Sequence, residues 1–277
     1  MENIPDFKAN ITLGQNFLNN PHVAARIVDA GEITSRDTVI EIGPGKGVLT
    51  TPLLAIAREV IALEKDSRLL IFLAYKYKKE IEDKKLILLE QDALTWNPES
   101  ALLQSGGYKV IANIPYYITG ALIRKFLSEP IHPSIVVFML QKEVARRIVA
   151  ADGKESILSI AVKAYGKPTY IETVKAHLFT PAPKVDSAVL RIDSISRERF
   201  ATVDEKRFFA LVHAGFGKKR KKLSSNLSEI LPAAAVDDAF TTVGLSDNIR
   251  AEDLTLDEWF ALANLLIMLP TAEKAAE

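Results

Sequence analysis

The chain has 277 residues, with 35 lysines and arginines against 35 aspartates and glutamates, and it contains no cysteine. That length calls for one large domain plus a smaller one, the balanced charge excludes a uniformly basic coat, and the missing thiols exclude disulfides and thiolate metal sites. The histidines, His22, His132, His177 and His213, are too scattered to form a ligand cluster, so no metal is expected.

Taken from the N-terminus, Glu2 and Asp6 stand among polar residues with no long apolar segment, so neither a signal peptide nor a membrane span is expected and the chain is read as cytoplasmic. The first strand falls at 38–42, a nearly continuous Val- and Ile-containing run of the kind buried on both faces. It runs into Glu41-Ile42-Gly43-Pro44-Gly45-Lys46-Gly47, a glycine turn that opens a helix through Leu49, Leu53, Leu54 and Ala57. Such a turn brings backbone N–H groups close to a ligand, although the Gly-x-Gly-x-Gly spacing departs from the dinucleotide fingerprint.

A second strand at 60–63 ends on Glu64, about 20 residues beyond the first glycine, where an acidic side chain can accept both hydroxyls of a ribose. Leu69, Leu70, Leu73 and Tyr77 then mark a helix, and a third strand at 86–89 leads to Asp92, an acceptor for an adenine amine or a helix cap. The fourth strand, 109–112, delivers Asn113-Ile114-Pro115-Tyr116. An amide at a strand end, a stiff proline turn and an aromatic ring can grip the exocyclic amine of a flat base and stack on its face. A fifth strand at 135–140 completes a parallel set whose ligands sit beyond the carboxyl ends.

Alternation from 186 to 192 predicts a final antiparallel or edge strand, and the polar stretch 193–203 places a boundary near 195. Beyond it the patterning is helical, with Thr255 and Glu258 forming a capping box before a last helix over 254–269. The expected architecture is α/β: a Rossmann-like sheet with helices on both faces over 1–195, and a small all-helical domain over 196–277. The unbroken run Lys218, Lys219, Arg220, Lys221 and Lys222 opens that helical part and is the candidate grip on nucleic-acid phosphates, with Lys142, Arg146 and Arg147 as a second patch.

Glycine, glutamate and aspartate at successive strand ends resemble the class I S-adenosylmethionine-dependent methyltransferases, and Asn113-Ile114-Pro115-Tyr116 resembles those that methylate base amines. Gly14-Gln15-Asn16-Phe17-Leu18, the segment from Phe179-Thr180-Pro181 through Lys184-Val185-Asp186-Ser187, and Lys219-Arg220-Lys221-Lys222-Leu223 with Asn226-Leu227 narrow this further. Together they resemble the small-subunit ribosomal RNA adenine dimethyltransferases of the KsgA (RsmA) type, over residues 11–269.

The resemblance implies a cofactor site of Asn16, Leu18, Gly43, Gly45, Glu64, Asp92, Ala93 and Asn113, and a catalytic set of Asn113, Ile114, Pro115 and Tyr116 with Phe179 as the opposite wall. It implies S-adenosylmethionine as cofactor and dimethylation of the N6 amines of two adjacent adenosines in the 3′-terminal hairpin of 16S rRNA. The partner would be a small-subunit (30S) precursor particle, and the enzyme is expected to be monomeric and free of metal and membrane. Ile114 stands where leucine is familiar in this family and isoleucine in the Erm 23S rRNA methyltransferases, so Erm-type methylation is the alternative. Gly120 stands where Ser or Thr is more usual. A nicotinamide-dependent oxidoreductase would explain the glycine turn and Glu64 but not Asn113 to Tyr116; a non-catalytic RNA-binding assembly factor would not need that set intact.

Overall fold

The computed structural model describes residues 14–266. Nine strands are present among them: β1 (Phe17–Leu18), β2 (Thr38–Ile42), β3 (Glu59–Glu64), β4 (Leu86–Glu90), β5 (Tyr108–Asn113), β6 (Ile135–Gln141), β7 (Lys167–Val174), β8 (Phe179–Thr180) and β9 (Ser187–Asp193). Seven form one sheet in the order β4-β3-β2-β5-β6-β9-β7, and β1 pairs with β8 in a separate two-stranded sheet. Pairings from β4 through β6 are parallel, whereas β9 runs antiparallel to both β6 and β7.

The apolar runs explain the parallel part. All of β2 is buried, as are β3 from Val60 onward and β5 through Ala112, because helices cover both faces. The helices are α1 (Pro21–Ala30), α2 (Thr50–Ile56), α3 (Ser67–Lys76), α4 (Lys78–Glu82), α5 (Thr119–Ser128), α6 (Lys142–Ile148), α7 (Ile157–Lys163), α8 (Glu205–Gly215), α9 (Leu223–Leu227), α10 (Ala233–Val243) and α11 (Leu256–Leu266). Asn20 caps α1, its side-chain oxygen accepting from the Val23 amide at 3.1 Å, and Asp66 caps α3 through the Arg68 amide at 3.1 Å. The Thr255–Glu258 capping box forms as expected, with N–H···O distances of 2.7 and 3.3 Å.

The strand over 187–193 is the final one and antiparallel, as expected, and it lies inside the sheet because β7 adds outside it. Residues 167–174 escape a search for apolar runs, since their alternation leaves Lys167, Thr169 and Ile171 exposed at the sheet margin.

The chain divides into two compact units, one holding the described residues through Ala145 together with Gly166–Ile195, the other Arg146–Tyr165 and the residues from Ser196 onward. Residues 146–165, counted with the sheet in the sequence reading, thus group with the helices. The cause is aromatic: the Tyr165 ring lies 5.1 Å from Phe200 and 6.1 Å from Phe209, and its hydroxyl donates to Glu205 at 2.6 Å. Phe208 stacks on Phe260 at 4.3 Å in the same cluster. The part of the last helix expected beyond 266 lies outside the described residues.

Candidate functional site: a base-sized cleft at the strand ends

The carboxyl ends of β2, β3, β4 and β5 surround a cavity of about 240 Å³. At the end of β2, Gly43 and Gly45 take φ of +63° and +58°, and a Cβ at Gly43 would meet nothing within 4 Å. The turn therefore presents bare backbone to open space, which is what a ligand approaching that closely requires. Gly47 serves packing instead: a Cβ there would fall 2.3 Å from the Tyr77 hydroxyl.

Glu64, at the end of β3, is 6 % exposed. Its Oε1 accepts the amides of Lys65 and Asp66 at 2.8 and 2.9 Å, while among the described residues Oε2 holds only the Gly45 amide, at 3.3 Å. Burial pushes its pKa up, against the pull of those amides. The backbone thus fixes one oxygen and leaves the other weakly engaged at the cavity wall. Asp92, following β4, has both oxygens in use: Oδ1 accepts the Leu94 amide and Oδ2 the Lys65 ammonium, each at 2.9 Å. The amide first and then Lys65 hold this carboxyl below its usual range. An incoming amine must share Asp92 with Lys65.

At the end of β5, the Asn113 side-chain nitrogen donates to the Asn16 carbonyl at 3.1 Å. That bond orients the amide, leaving its Oδ1 without a partner among the described residues. Next along the chain, the Ile114 amide is spent on the Met139 carbonyl at 3.1 Å, whereas no described group reaches the Ile114 carbonyl oxygen. Two acceptors, one side-chain and one backbone, are thus left unpaired at neighbouring residues of the cavity wall.

The aromatic walls are positioned independently. Tyr116 is half-buried and its hydroxyl meets the Ser187 hydroxyl at 2.8 Å. Phe179, only 4 % exposed, comes from β8, whose pairing with β1 sets Phe17 opposite Thr180 and Leu18 opposite Phe179. Asn19 reinforces that pair by donating to the Thr180 hydroxyl at 2.6 Å. Tyr116 and Phe179 both line the cavity and make no ring contact with each other, so the space between the walls is not closed.

Every residue that the sequence reading placed at the cofactor or base site lines this cavity except Leu18. Strand alternation explains the exception: Phe17 faces the cavity, and Leu18, 4 % exposed, points into the hydrophobic core. Sequence reasoning passed over Gln15, Lys65, Gln91 and Tyr117, which also line it. Gln15 donates to Asp66 at 3.0 Å, and with the Arg68 guanidinium as the larger influence it helps hold the Asp66 carboxyl down at about 2. A Cβ at Gly120 would meet open space, so nothing local demands glycine there.

Beneath the glycine turn, Glu41 is 1 % exposed and neither carboxylate oxygen has a hydrogen-bond partner among the described residues; the neighbouring Thr50 hydroxyl is likewise unpaired. Burial pushes this carboxyl up to about 8, against the pull of the adjacent Thr50 hydroxyl and amide, with nearby Glu64 adding to the rise. Burial thus favours its neutral form near pH 7.

In the helical unit, Lys218, Lys219, Arg220, Lys221 and Lys222 are all exposed between α8 and α9. Asn226 pins this loop, donating to the carbonyls of Gly215 at 2.6 Å and Lys218 at 3.3 Å. Lys218 and Lys221 share Glu229, at 2.5 and 3.6 Å, so their charge is partly neutralised; Lys219, Arg220 and Lys222 have no ion-pair partner among the described residues. Arg146 and Arg147 stand exposed on the last turn of α6, also without one. Among the described residues no group of acidic, histidine or cysteine side chains could hold a metal ion, and no helix is long and apolar enough to cross a membrane.

A parallel sheet with a glycine turn, a buried glutamate and an aspartate at successive strand ends is the arrangement of a class I methyltransferase, and the comparisons agree. The chain superposes on a dimethyladenosine transferase from Plasmodium falciparum with a TM-score of 0.75 at 28 % identity, covering 89 % of this chain and 95 % of that one. It superposes on the 23S rRNA methyltransferase ErmE with a TM-score of 0.72 at 25 % identity, covering 91 % of this chain and all of that one. Ribosomal RNA small subunit methyltransferase A of Dehalococcoides mccartyi is 39 % identical over 254 residues, 91 % of this chain and 86 % of that protein. Residues 6–268 match the ribosomal RNA adenine dimethylase family, to which the chain belongs. It is an rRNA methyltransferase.

Proposed function

We propose that the protein transfers methyl groups from S-adenosylmethionine to the N6 amine of adenosines in small-subunit ribosomal RNA, acting on a precursor of the small ribosomal particle. The observation that carries this is the pair of unpaired acceptors, Asn113 Oδ1 and the Ile114 carbonyl, beside two unstacked aromatic walls. The small-subunit assignment rests on relatives bearing that name at 39 % and 35 % identity, the second, from Clostridium botulinum, covered over 95 % of its length.

The residues present fit the cofactor. Gly43 leaves open space at the turn, the weakly engaged Glu64 Oε2 suits a ribose diol, and Ile42, Leu63, Ala93 and Leu94 offer an apolar wall to an adenine ring. Asn16 and Asn113 would bound the other end. When bound, the cofactor supplies a methyl group already activated by a sulfonium.

The remaining problem is the nucleophile, because the N6 lone pair is delocalised into the purine ring. Asn113 Oδ1 and the Ile114 carbonyl each take one amino hydrogen and favour a tetrahedral nitrogen, in which the lone pair is localised. As positive charge builds on nitrogen both dipoles stabilise it, and because both acceptors are already held in place by the Asn16 and Met139 carbonyls, little reorganisation is needed. Tyr116 and Phe179 stack on the base and supply alignment. The nitrogen becomes strongly acidic once it carries the methyl group, so its proton leaves to water and no general base is required.

A paired adenosine must be unstacked to enter such a cleft, and the basic loop of the helical unit holds the surrounding phosphates while that happens. Incubation with isotopically labelled cofactor and separate small- and large-subunit particles tests the substrate class. Label in small-subunit RNA is expected; label confined to large-subunit RNA would replace this reading with Erm-type methylation.

A further inference from the structure

Of the large hydrophobic side chains that stand exposed among the described residues, Tyr117 alone also lines the cavity. Its predecessor on the same short turn, Tyr116, is half-buried with its hydroxyl tied to Ser187. Tyr117 is 66 % exposed. Consecutive residues thus present one ring inside the cleft and one at its rim.

The rim ring has a built support. Gly14, at φ +64°, lies so close that a Cβ on it would come within 3.2 Å of Tyr117 Cε1 and 3.3 Å of Cδ1. Bare backbone therefore backs the ring while most of its surface faces solvent. A ring held open at the rim of the cleft is placed to meet whatever is covalently attached to the base occupying that cleft.

Resting on the proposed function, we infer that Tyr117 is a stacking platform for the base of the nucleotide adjoining the target adenosine. When the target leaves its helix, its neighbour loses a stacking partner, and the Tyr117 ring replaces it. A ring stacks on any base, so the contact sets register along the strand without reading sequence. For two adjacent adenosines, the platform would hold one while the other is methylated.

The test is a double-mutant cycle on small-subunit particles carrying either the natural strand or one lacking the base next to the target adenosine. With the natural strand, Tyr117→Ala should raise the KM for RNA about ten-fold, the scale of one lost base stack. The kcat should fall less than the KM rises, S-adenosylhomocysteine affinity measured by calorimetry should hold, and Tyr117→Phe should restore the KM. With the abasic strand, wild type and Tyr117→Ala should converge. An unchanged KM for Tyr117→Ala, or the same penalty on both strands, overturns the platform while leaving adenosine methylation intact. Failure of the wild type to methylate the natural strand overturns the underlying reading and the platform with it.

Discussion

The strand-end cleft and the basic loop both meet RNA in this account, yet they are built in opposite ways. In the cleft, polar atoms are fixed by the chain's own backbone: Glu64 by the amides of Gly45, Lys65 and Asp66, Asn113 by the Asn16 carbonyl, and the Ile114 turn by Met139. In the loop, five exposed cations are anchored through one buried residue, Asn226, and two of them lean on Glu229. The first arrangement supplies direction; the second supplies charge. A methyl transfer needs the former for its barrier and the latter for holding a polyanion, so damage to each should read out in a different quantity.

The sharpest separation comes from Asn113→Ala. Removal of one preorganised acceptor should lower kcat by about 10³-fold, at the upper end of the cost of deleting a transition-state hydrogen-bonding group, while RNA affinity changes little. Single-turnover transfer and filter binding on the same preparations would show it, and a proportional loss in both would erase the distinction between cleft and loop.

Glu41 probes what the rigid cleft costs. Its carboxyl titrates near 4.5 in the unfolded chain and about 8 in the folded one, so between those values the folded state alone holds the proton. Stability contributed by this group therefore declines as pH rises from 4.5 to 8, by roughly 5 kcal/mol in all, and is flat above. Thermal melts of Glu41→Gln should lose that slope, and a variant whose Tm still falls with the wild-type steepness over this window would show that Glu41 is not buried as a neutral acid.

The loop should respond in proportion to unpaired charge. Replacing Lys219, Arg220 and Lys222 with alanine should weaken RNA binding roughly 30-fold at physiological salt and flatten the slope of log K against log salt by about 2, since each phosphate contact adds 0.7 to 0.9. Replacing Lys218 and Lys221 should do less, because Glu229 already offsets them. Equal effects per residue would mean that Glu229 lets go on binding.

Much of the cleft could be read before any coordinates. The strands over 38–42, 60–63, 109–112 and 135–140 were legible because burial on both faces forces unbroken apolar runs, the edge strand over 86–89 because its run is apolar though only partly buried, and the acidic or amide residues at or just after several of these ends then fell where ligands of such sheets bind. β7 was not, because a margin strand keeps polar residues on its open face. The direction of the Leu18 side chain was not legible, since the two-residue strand sends Phe17 toward the cavity and Leu18 into the core. The Lys65–Asp92 pair, the burial of Glu41 and the support of Tyr117 by Gly14 depend on residues brought together by folding, 27 positions apart in the first case and 103 in the last. Local pattern carries no trace of these.

The central claim is that this cleft polarises the exocyclic amine of adenosine, and the product itself tests it most directly. RNA from a reaction with labelled cofactor would be digested to nucleosides and the labelled one identified by mass spectrometry. The account predicts methyl groups on N6 of adenosine, and specifically its N6,N6-dimethyl form at two neighbouring positions. Methylation at a ring nitrogen, on ribose or on another base would contradict it.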